Sequence, residues 1–274
     1  MSRIAATFES LRNAGRAALM PYLTLGYPEQ DSALSLVPAL VEAGADLIEL
    51  GIPFSDPLAD GATIQAASQR ALANGMTLAH CLEQAALLRA GGVRVPFVLM
   101  GYYNPILQMG LAGFVQRAAT AGIDGVIVPD LPPEEATTLH SLLHSRGIDL
   151  VFLVAPTSGD ERLRLIAGRS TGFLYMVSLT GVTGAREQVA PGLASWVARV
   201  RSVTDLPLAV GFGISTPGQA AQVARFADGA IVGSALIEAI GGADDPAAAA
   251  AAFTASLRAG MDRCQKLDDS SDHQ

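Results

Sequence analysis

The segment PLAVGFGISTPGQAAQVARFADGAIVGSALIEAI (207–240) contains two apolar runs, each followed by a glycine-rich turn and a helical pattern. The runs at 207–213 and 229–234 are continuously apolar, which is typical of parallel strands buried on both faces. Their turns carry Gly211, Gly213, Ser215, Gly233 and Ser234. Barrels of the (β/α)8 type commonly hold phosphate at turns after their last strands, so the segment favours a barrel over an open doubly wound sheet.

The same alternation extends through the rest of the chain. Six more apolar runs of strand character precede this segment, at 18–25, 45–51, 96–101, 125–130, 150–155 and 173–178. Helical patterns separate them, and several end in Gly, an apolar residue and Asp, as expected of a helix stop before a strand. Eight strand–helix units in about 250 residues predict an α/β protein, a single-domain (β/α)8 TIM barrel. The predicted domain covers 1–265 with an N-terminal helix, and 266–274 forms a frayed polar tail.

The composition argues against several classes of protein. Half of the residues are hydrophobic and 16% are charged, which suits a large core and excludes a disordered chain. No apolar run reaches the roughly 18 residues that a membrane span needs. The net charge of −8, with no basic cluster, argues against nucleic acid as a partner. The N-terminus has no pattern of a secretion signal, and there are only two cysteines, Cys81 and Cys264, so we expect a cytoplasmic address.

Lysine and histidine usage narrows the chemistry further. The only lysine is Lys266, in the polar tail, which argues against Schiff-base aldolases, pyridoxal enzymes and P-loop NTPases. His140 and His144 have the i,i+4 spacing of a metal-binding pair, but they lie in an amphipathic helical pattern without a third ligand nearby. We therefore expect neither a metal site nor an imine mechanism.

Carboxylates occur where a barrel places its chemistry, at the end of the second strand and in the loop after it. Glu49 lies inside the apolar run LIEL, so it is either a structural carboxylate bound by backbone N–H groups or an acid/base group with a raised pKa. Asp60, in PFSDPLAD (53–60), is either a helix N-cap or the second member of an acid/base pair. Asp56 in the same loop is either a turn residue or part of the site.

Three further features complete the site predicted from the residues. Tyr175 in FLYMVS is either a core residue or a partner of these carboxylates. The loop LTGVTGAREQVAPG (179–192) is long for a strand–helix connection and is a candidate lid. The glycine turns of 207–240 offer backbone N–H groups at two helix starts for one phosphate. The residues alone therefore predict a phosphate-bearing substrate processed by carboxylates.

One motif links this chemistry to a known family. LIELGIPFSDPLADG (47–61) closely resembles the signature of the tryptophan synthase alpha chain family. PYLTLGYP (21–28), MGYYNPI (100–106), YMVSLTGVTGAR (175–186) and VGFGISTPGQA (210–220) extend the resemblance over nearly the whole chain. The resemblance implies retro-aldol cleavage of indole-3-glycerol phosphate to indole and glyceraldehyde 3-phosphate.

The resemblance also implies roles for individual residues. Glu49 would carry the proton to and from the substrate, and Asp60 would accept a hydrogen bond from the indole N–H. The substrate pocket would be lined by Tyr22, Met100, Tyr175, Thr183, Gly184, Phe212, Gly213, Gly233 and Ser234. Tyr22 and Met100, in the indole pocket, are positions where this chain could depart from the family in packing.

A partner follows from the same resemblance. Members of the family dock onto a beta chain in an αββα heterotetramer, and the beta chain uses the indole for L-tryptophan synthesis. Pyridoxal phosphate is expected only on that beta chain, with no cofactor on this one. The expected interface residues are Pro53, Phe54, Asp56 and Asn104, although the aromatic groups of this region could instead fold inward to shape the indole pocket.

Two alternatives remain open at this point. The first is a sister phosphate-binding barrel, such as phosphoribosylanthranilate isomerase, indole-glycerol-phosphate synthase or ribulose-phosphate epimerase. The synthase is expected to need a catalytic lysine and the epimerase metal-ligating histidines, and this sequence lacks both at strand ends. The second is a barrel kept as an allosteric binding subunit with negligible lyase activity of its own.

Overall fold

The strands form a parallel barrel. The computed structural model describes residues 1–177, 192–211 and 213–271, with side chains described as far as Arg263. Within these residues the strands are β1 Ala18–Thr24, β2 Ile48–Gly51, β3 Phe97–Met100, β4 Gly125–Ile127, β5 Asp149–Val151, β6 Leu153–Val154, β7 Leu174–Val177, β8 Leu208–Gly211 and β9 Gly229–Val232. Their order in the sheet is β5-β4-β3-β2-β1-β9-β8-β7-β6. Because only Phe152 separates β5 from β6, the two ends of the sheet are one interrupted strand, and the predicted eight-stranded barrel is confirmed.

Helices surround the barrel and connect its strands. Their bounds are α1 Arg3–Asn13, α2 Ala33–Glu42, α3 Ala62–Ala73, α4 Leu78–Ala90, α5 Tyr103–Met109, α6 Leu111–Thr120, α7 Thr137–His144, α8 Asp160–Arg169, α9 Leu193–Arg201, α10 Pro217–Ala224, α11 Ser234–Gly241 and α12 Pro246–Ser271. The last helix, α12, continues into the segment that the sequence assigns to the tail, and the fraying of that tail stays a prediction.

Two apolar layers lie on the two faces of the sheet. The larger one fills the space between the strands and the outer helices. The smaller one fills the barrel itself with side chains such as Met20, Val98 and Phe173. Helix α1 closes the amino-terminal end, where the rings of Phe8 and Phe173 lie 5.8 Å apart. Burial of each such side chain stabilises the fold by about 1.5–3 kcal/mol. Because the amino-terminal end of the barrel is closed, its carboxyl-terminal end is the open mouth.

The aspartates at the ends of the helical patterns bind the strands at the amino-terminal rim. Three carboxylates each accept a hydrogen bond from a backbone N–H of the neighbouring strand: Asp46 from Leu19 at 2.9 Å, Asp124 from Phe97 at 2.8 Å and Asp228 from Leu208 at 2.8 Å. Each also forms an ion pair with an arginine of an outer helix. Asp46 and Asp124, which end Gly–apolar–Asp patterns, and Asp228 therefore fix strand starts on the side opposite the mouth.

Candidate active site

Glu49 is a buried carboxyl in the wall of the barrel. In the strand register it lies beside Tyr22 of β1 and Val98 of β3. Its neighbours Ile48 and Leu50 pack in the outer layer, so strand alternation directs Glu49 into the barrel. The residue is 1% exposed, and within the described part of the chain neither carboxyl oxygen has a hydrogen-bond partner. The alternative of a structural carboxylate bound by backbone N–H groups is therefore not what the structure contains.

The environment of Glu49 suits a group that exchanges a proton near neutral pH. Burial raises the pKa of Glu49 to about 8, and the nearby negative charge of Asp60 contributes to the rise. At pH 7 the carboxyl is mostly protonated, which avoids most of the free-energy cost of burying a charge. A group with this pKa can release a proton and take it back within one catalytic cycle.

Asp60 lies in the loop between β2 and α3, which we call the β2–α3 loop (residues 52–61). Helix α3 has Gly61 as its N-cap and no side-chain cap, so the alternative that Asp60 caps this helix is wrong. Burial raises the pKa of Asp60, while a hydrogen bond with the Tyr102 hydroxyl lowers it and offsets part of the rise. The two carboxyls thus differ in environment: among the described residues Glu49 has no hydrogen-bond partner, whereas Tyr102 lowers the pKa of Asp60.

Two tyrosines share the mouth with these carboxyls. Burial raises the pKa of Tyr22 and of Tyr175, and the charges of Asp60 and Glu49 add to both shifts. The Tyr22 hydroxyl lies 3.3 Å from the Thr24 hydroxyl. Both rings need a glycine opposite them: a Cβ at Gly51 would lie 2.2 Å from the Tyr22 hydroxyl, and one at Gly211 would lie 2.4 Å from the Tyr175 hydroxyl. Met100, at the end of β3, packs on the same inner layer.

The predicted anion site has fewer backbone N–H groups available to a ligand than the sequence suggests. Helix α10 begins with a capping box of Thr216 and Gln219, and the Gln219 side chain also accepts the N–H of Ser215 at 2.8 Å. The prediction that the Ser215 turn offers this N–H to a ligand is therefore wrong. Helix α11 instead has Gly233 as an N-cap without a side-chain cap, followed directly by Ser234. Its first N–H groups are available for an anion.

Comparison with known proteins decides the family. The family model for the tryptophan synthase alpha chain matches residues 8–266. The chain belongs to the tryptophan synthase alpha chain family. The tryptophan synthase alpha chain of Roseiflexus sp. (strain RS-1) is 61% identical over 240 residues, which cover 88% of this chain and 92% of the relative. That of Dehalococcoides mccartyi is 51% identical over 262 residues, covering 96% and 100%.

Solved structures agree with this assignment. Tryptophan synthase subunit alpha from Legionella pneumophila superposes with a TM-score of 0.88 at 42% identity, covering 96% of this chain and 99% of that one. A chain of tryptophan synthase from M. tuberculosis superposes with a TM-score of 0.87 at 38% identity, covering 95% and 99%. The alpha-chain fold is thus shared along almost its whole length.

Several residues that the alpha-chain resemblance assigns to the pocket lie outside the described residues. These are Thr183, Gly184 and Phe212, together with the candidate lid except for its last residue, Gly192. Gly213 follows β8 with a φ of +81°, a conformation that strongly favours glycine. Of the residues that the resemblance assigns to the alpha-chain pocket, Tyr22, Met100, Tyr175, Gly213, Gly233 and Ser234 lie in the described part of the chain.

The residues expected to contact a beta chain surround the mouth, but they differ in exposure. Asp56 and Asn104 are exposed, Phe54 is half-buried, and Pro53 is buried. The Phe54 ring stacks on Tyr102 with 5.2 Å between ring centroids, so it partly takes the inward orientation that we left open. Leu58, in the same loop, is 90% exposed. Leu58 was not among the predicted interface residues, and its signal in the sequence is an apolar residue in an otherwise polar loop. Tyr102, one of the aromatic groups for which the sequence left an inward orientation open, is buried.

Two histidines with the spacing of a metal-binding pair lie side by side on α7. His140 and His144 stack on α7 with 6.2 Å between ring centroids. In the described ranges no three His, Cys, Asp or Glu side chains come together as metal ligands. None of the helices in this part of the alpha chain combines the length and apolar character of a membrane span.

Proposed function

We propose that this chain cleaves indole-3-glycerol phosphate to indole and glyceraldehyde 3-phosphate, with Glu49 as the proton carrier. The observation that carries the proposal is the Glu49 carboxyl itself: it is buried at the mouth, without a hydrogen-bond partner in the described residues, and its pKa is raised to about 8. Membership of the tryptophan synthase alpha chain family supports the reaction.

The first step protonates the substrate ring. The protonated Glu49 carboxyl gives its proton to C3 of the indole ring, and the ring acquires a positive charge. Asp60 accepts a hydrogen bond from the ring N–H, and its negative charge stabilises that developing positive charge. The difference between the two carboxyls supports these roles, because an acid needs a raised pKa and a stabilising anion needs a partner that keeps it charged.

The second step breaks the carbon–carbon bond. The Glu49 carboxylate removes the proton of the side-chain hydroxyl next to that bond, and the oxygen electrons form the aldehyde of glyceraldehyde 3-phosphate. The electron pair of the broken bond returns to the ring, which leaves as neutral indole. Glu49 ends the cycle protonated, as it began, so the reaction needs no oxidant, reductant or cofactor of this chain.

The remaining predicted residues bind the two ends of the substrate. We assign Tyr22, Met100 and Tyr175 to the indole end, which their location beside the two carboxyls supports. The phosphate is assigned to the start of α11, at Gly233 and Ser234, with Gly213 beside it. Thr183, Gly184 and Phe212 join them by resemblance. Phosphate binding far from the reacting bond holds the glycerol chain in place.

The product suggests the partner. Indole is small and apolar, so we propose that the mouth docks onto a beta chain that carries pyridoxal phosphate, in an αββα assembly. The exposed residues Asp56, Leu58 and Asn104, with the half-buried Phe54, support an interface there. Pro53 lies beneath this surface and would support it. The low cysteine count supports a cytoplasmic address for the assembly.

Two measurements test the proposal. Purified chain is supplied with indole-3-glycerol phosphate and released indole is measured, first alone and then with increasing beta chain. We expect slow release alone and faster release once a complex forms by size exclusion. Glu49→Gln should lose activity by about 10²–10⁴-fold, as general acid–base groups do. The matched control is Glu42→Gln, which changes an exposed carboxyl at the end of α2 and should leave the rate unchanged.

Each outcome discriminates between the alternatives. Near-normal turnover of Glu49→Gln would remove Glu49 from the mechanism. A chain that binds the beta chain but releases no indole under any condition would favour the binding subunit without lyase activity. A complex that forms without a change in turnover would remove the coupling and leave a stand-alone lyase.

A further inference from the structure

Tyr102 lies at the mouth where three elements meet, and neither the proposed chemistry nor the comparisons give it a role. It directly follows Gly101 at the end of β3 and is the N-cap residue of α5. Although Tyr102 lies in the connection between a strand and a helix, its side chain is only 3% exposed. A buried phenol must satisfy its hydroxyl, so its contacts indicate what it does.

The side chain of Tyr102 contacts the β2–α3 loop at two separate points. Its ring stacks on Phe54 near the start of the loop, at 5.2 Å between centroids and 27° between planes. Its hydroxyl oxygen accepts the backbone N–H of Ala59 at 2.9 Å near the end of the loop. Ala59 directly precedes Asp60, so one side chain fixes the backbone on which the Asp60 carboxyl is carried.

The hydroxyl hydrogen of Tyr102 is not used by the bond to Ala59. A phenol has one hydrogen to donate, and the oxygen already accepts from Ala59. The hydrogen is therefore available to the neighbouring Asp60 carboxylate, whose pKa Tyr102 lowers. A donor of this kind stabilises the charged form of the carboxyl and fixes its direction.

The backbone of Tyr102 is itself held firmly. The N–H of Tyr103 donates to both carboxylate oxygens of Asp130, at 2.9 and 3.2 Å. On the other side, the N–H of Gly101 donates to the carbonyl of Ile127 at 3.1 Å. A Cβ at Gly101 would lie 2.6 Å from the Ile52 side chain, so the strand end packs closely on the start of the β2–α3 loop. Tyr102 thus connects a fixed part of the barrel to the loop that carries Asp60.

We propose that Tyr102 is a positioning residue for Asp60: through its contacts with Phe54 and Ala59 it holds the β2–α3 loop and thereby fixes the Asp60 carboxylate at the mouth. The proposal rests on the function assigned above to Asp60. Tyr102 does not take part in proton transfer, and its effect on the reaction passes through Asp60. Removing only its hydroxyl should therefore change the properties of Asp60 while leaving the stacked ring in place.

The test compares Tyr102→Phe with Tyr103→Phe, a matched loss of one phenol hydroxyl at the next residue, whose ring packs on the outer layer. Indole release is measured from pH 5 to 9 for kcat and KM. Independently of activity, the Asp60 carboxyl is titrated by carbon-13 NMR, with Asp60→Asn used to assign its signal. Urea unfolding confirms that each variant folds.

The expected result has three parts. For Tyr102→Phe, kcat falls about tenfold or more, because a hydrogen bond to a charged group is lost, whereas KM changes little. The Asp60 titration and the acid limb of the pH profile both move to higher pH, because the charged carboxylate loses a donor. Tyr103→Phe matches the wild-type protein in all three measurements.

The result that overturns the proposal is equally specific. If the Asp60 titration of Tyr102→Phe coincides with that of the wild-type protein, Tyr102 does not position Asp60, whatever happens to kcat. An equal shift in Tyr103→Phe overturns it as well. If the wild-type chain releases no indole, the proposed function fails, but the titration still decides whether Tyr102 holds Asp60.

Discussion

Replacing Glu49 by Gln should reduce lyase activity by about 10²–10⁴-fold and at the same time make the protein more stable at alkaline pH. The wild-type carboxyl has a pKa of about 8 in the folded chain, against an ordinary value of 4.5. The folded state therefore holds a proton that the unfolded state loses, so the free energy of unfolding falls as the pH rises from 4.5 to 8. Below 4.5 both states are protonated, and above 8 the loss is complete.

The size of this effect follows from the same two values. At about 1.4 kcal/mol for each pH unit, the difference corresponds to a loss of at most about 5 kcal/mol above pH 8. A Gln amide has nearly the same shape and stays neutral at every pH, so it does not incur this loss. Its unpaired amide costs about 1–3 kcal/mol at any pH. The difference in stability between Glu49→Gln and wild type should therefore change with pH, in favour of Gln as the pH rises.

The assay is urea unfolding at intervals from pH 5 to 9, on wild type, Glu49→Gln and the exposed control Glu42→Gln. Other titrating groups are common to all three proteins, so most of their contributions cancel in the differences. We expect the Glu49→Gln difference to rise by several kcal/mol across this range and the Glu42→Gln difference to stay nearly flat. Parallel stability curves for wild type and Glu49→Gln would refute the raised pKa and, with it, the main argument for Glu49 as the acid.

Three further predictions concern the loop, the glycines and the absence of cofactor chemistry. Asp60→Asn should reduce kcat by about 10²-fold, because a neutral amide stabilises the charged ring less well than a carboxylate does; a fully active variant, measured by indole release, would contradict this role. Gly51→Ala should destabilise the fold by about 1–3 kcal/mol and raise KM, because the new Cβ displaces Tyr22. Gly113→Ala in α6, where a Cβ meets no atom within 4 Å, should instead stabilise the fold by about 0.5–1 kcal/mol. Urea unfolding measures both changes, and changes of the same sign would show that the packing argument fails. Indole release should survive both prolonged chelation and borohydride with substrate present, and inhibition by either treatment would reveal a metal or an imine.

Much of the fold could be read from the sequence because it depends on local patterns. Continuous apolar runs identify buried parallel strands, and glycine with a following aspartate ends the preceding helices. Glu49 was identifiable for the same reason, since a carboxyl inside an apolar strand is unusual enough to need a chemical explanation. Local pattern did not establish closure of the barrel, which depends on β4–β5 and β6–β7 pairing on either side of Phe152.

The details of the site depend on contacts between residues far apart in the chain. The sequence left Asp60 as either a cap or a site residue, and only the fold shows that Tyr102 binds the residue before it and lowers the pKa of Asp60. The Ser215 N–H looked available in the sequence, yet the Gln219 side chain folds back onto it. Tyr102 reaches Ala59 across 43 positions of sequence, and nothing in either segment encodes that distance locally. Residue type and periodicity determine which groups are buried. A hydrogen bond, however, needs a donor and an acceptor about 3 Å apart in the right direction, and only the closed barrel brings these atoms that close together.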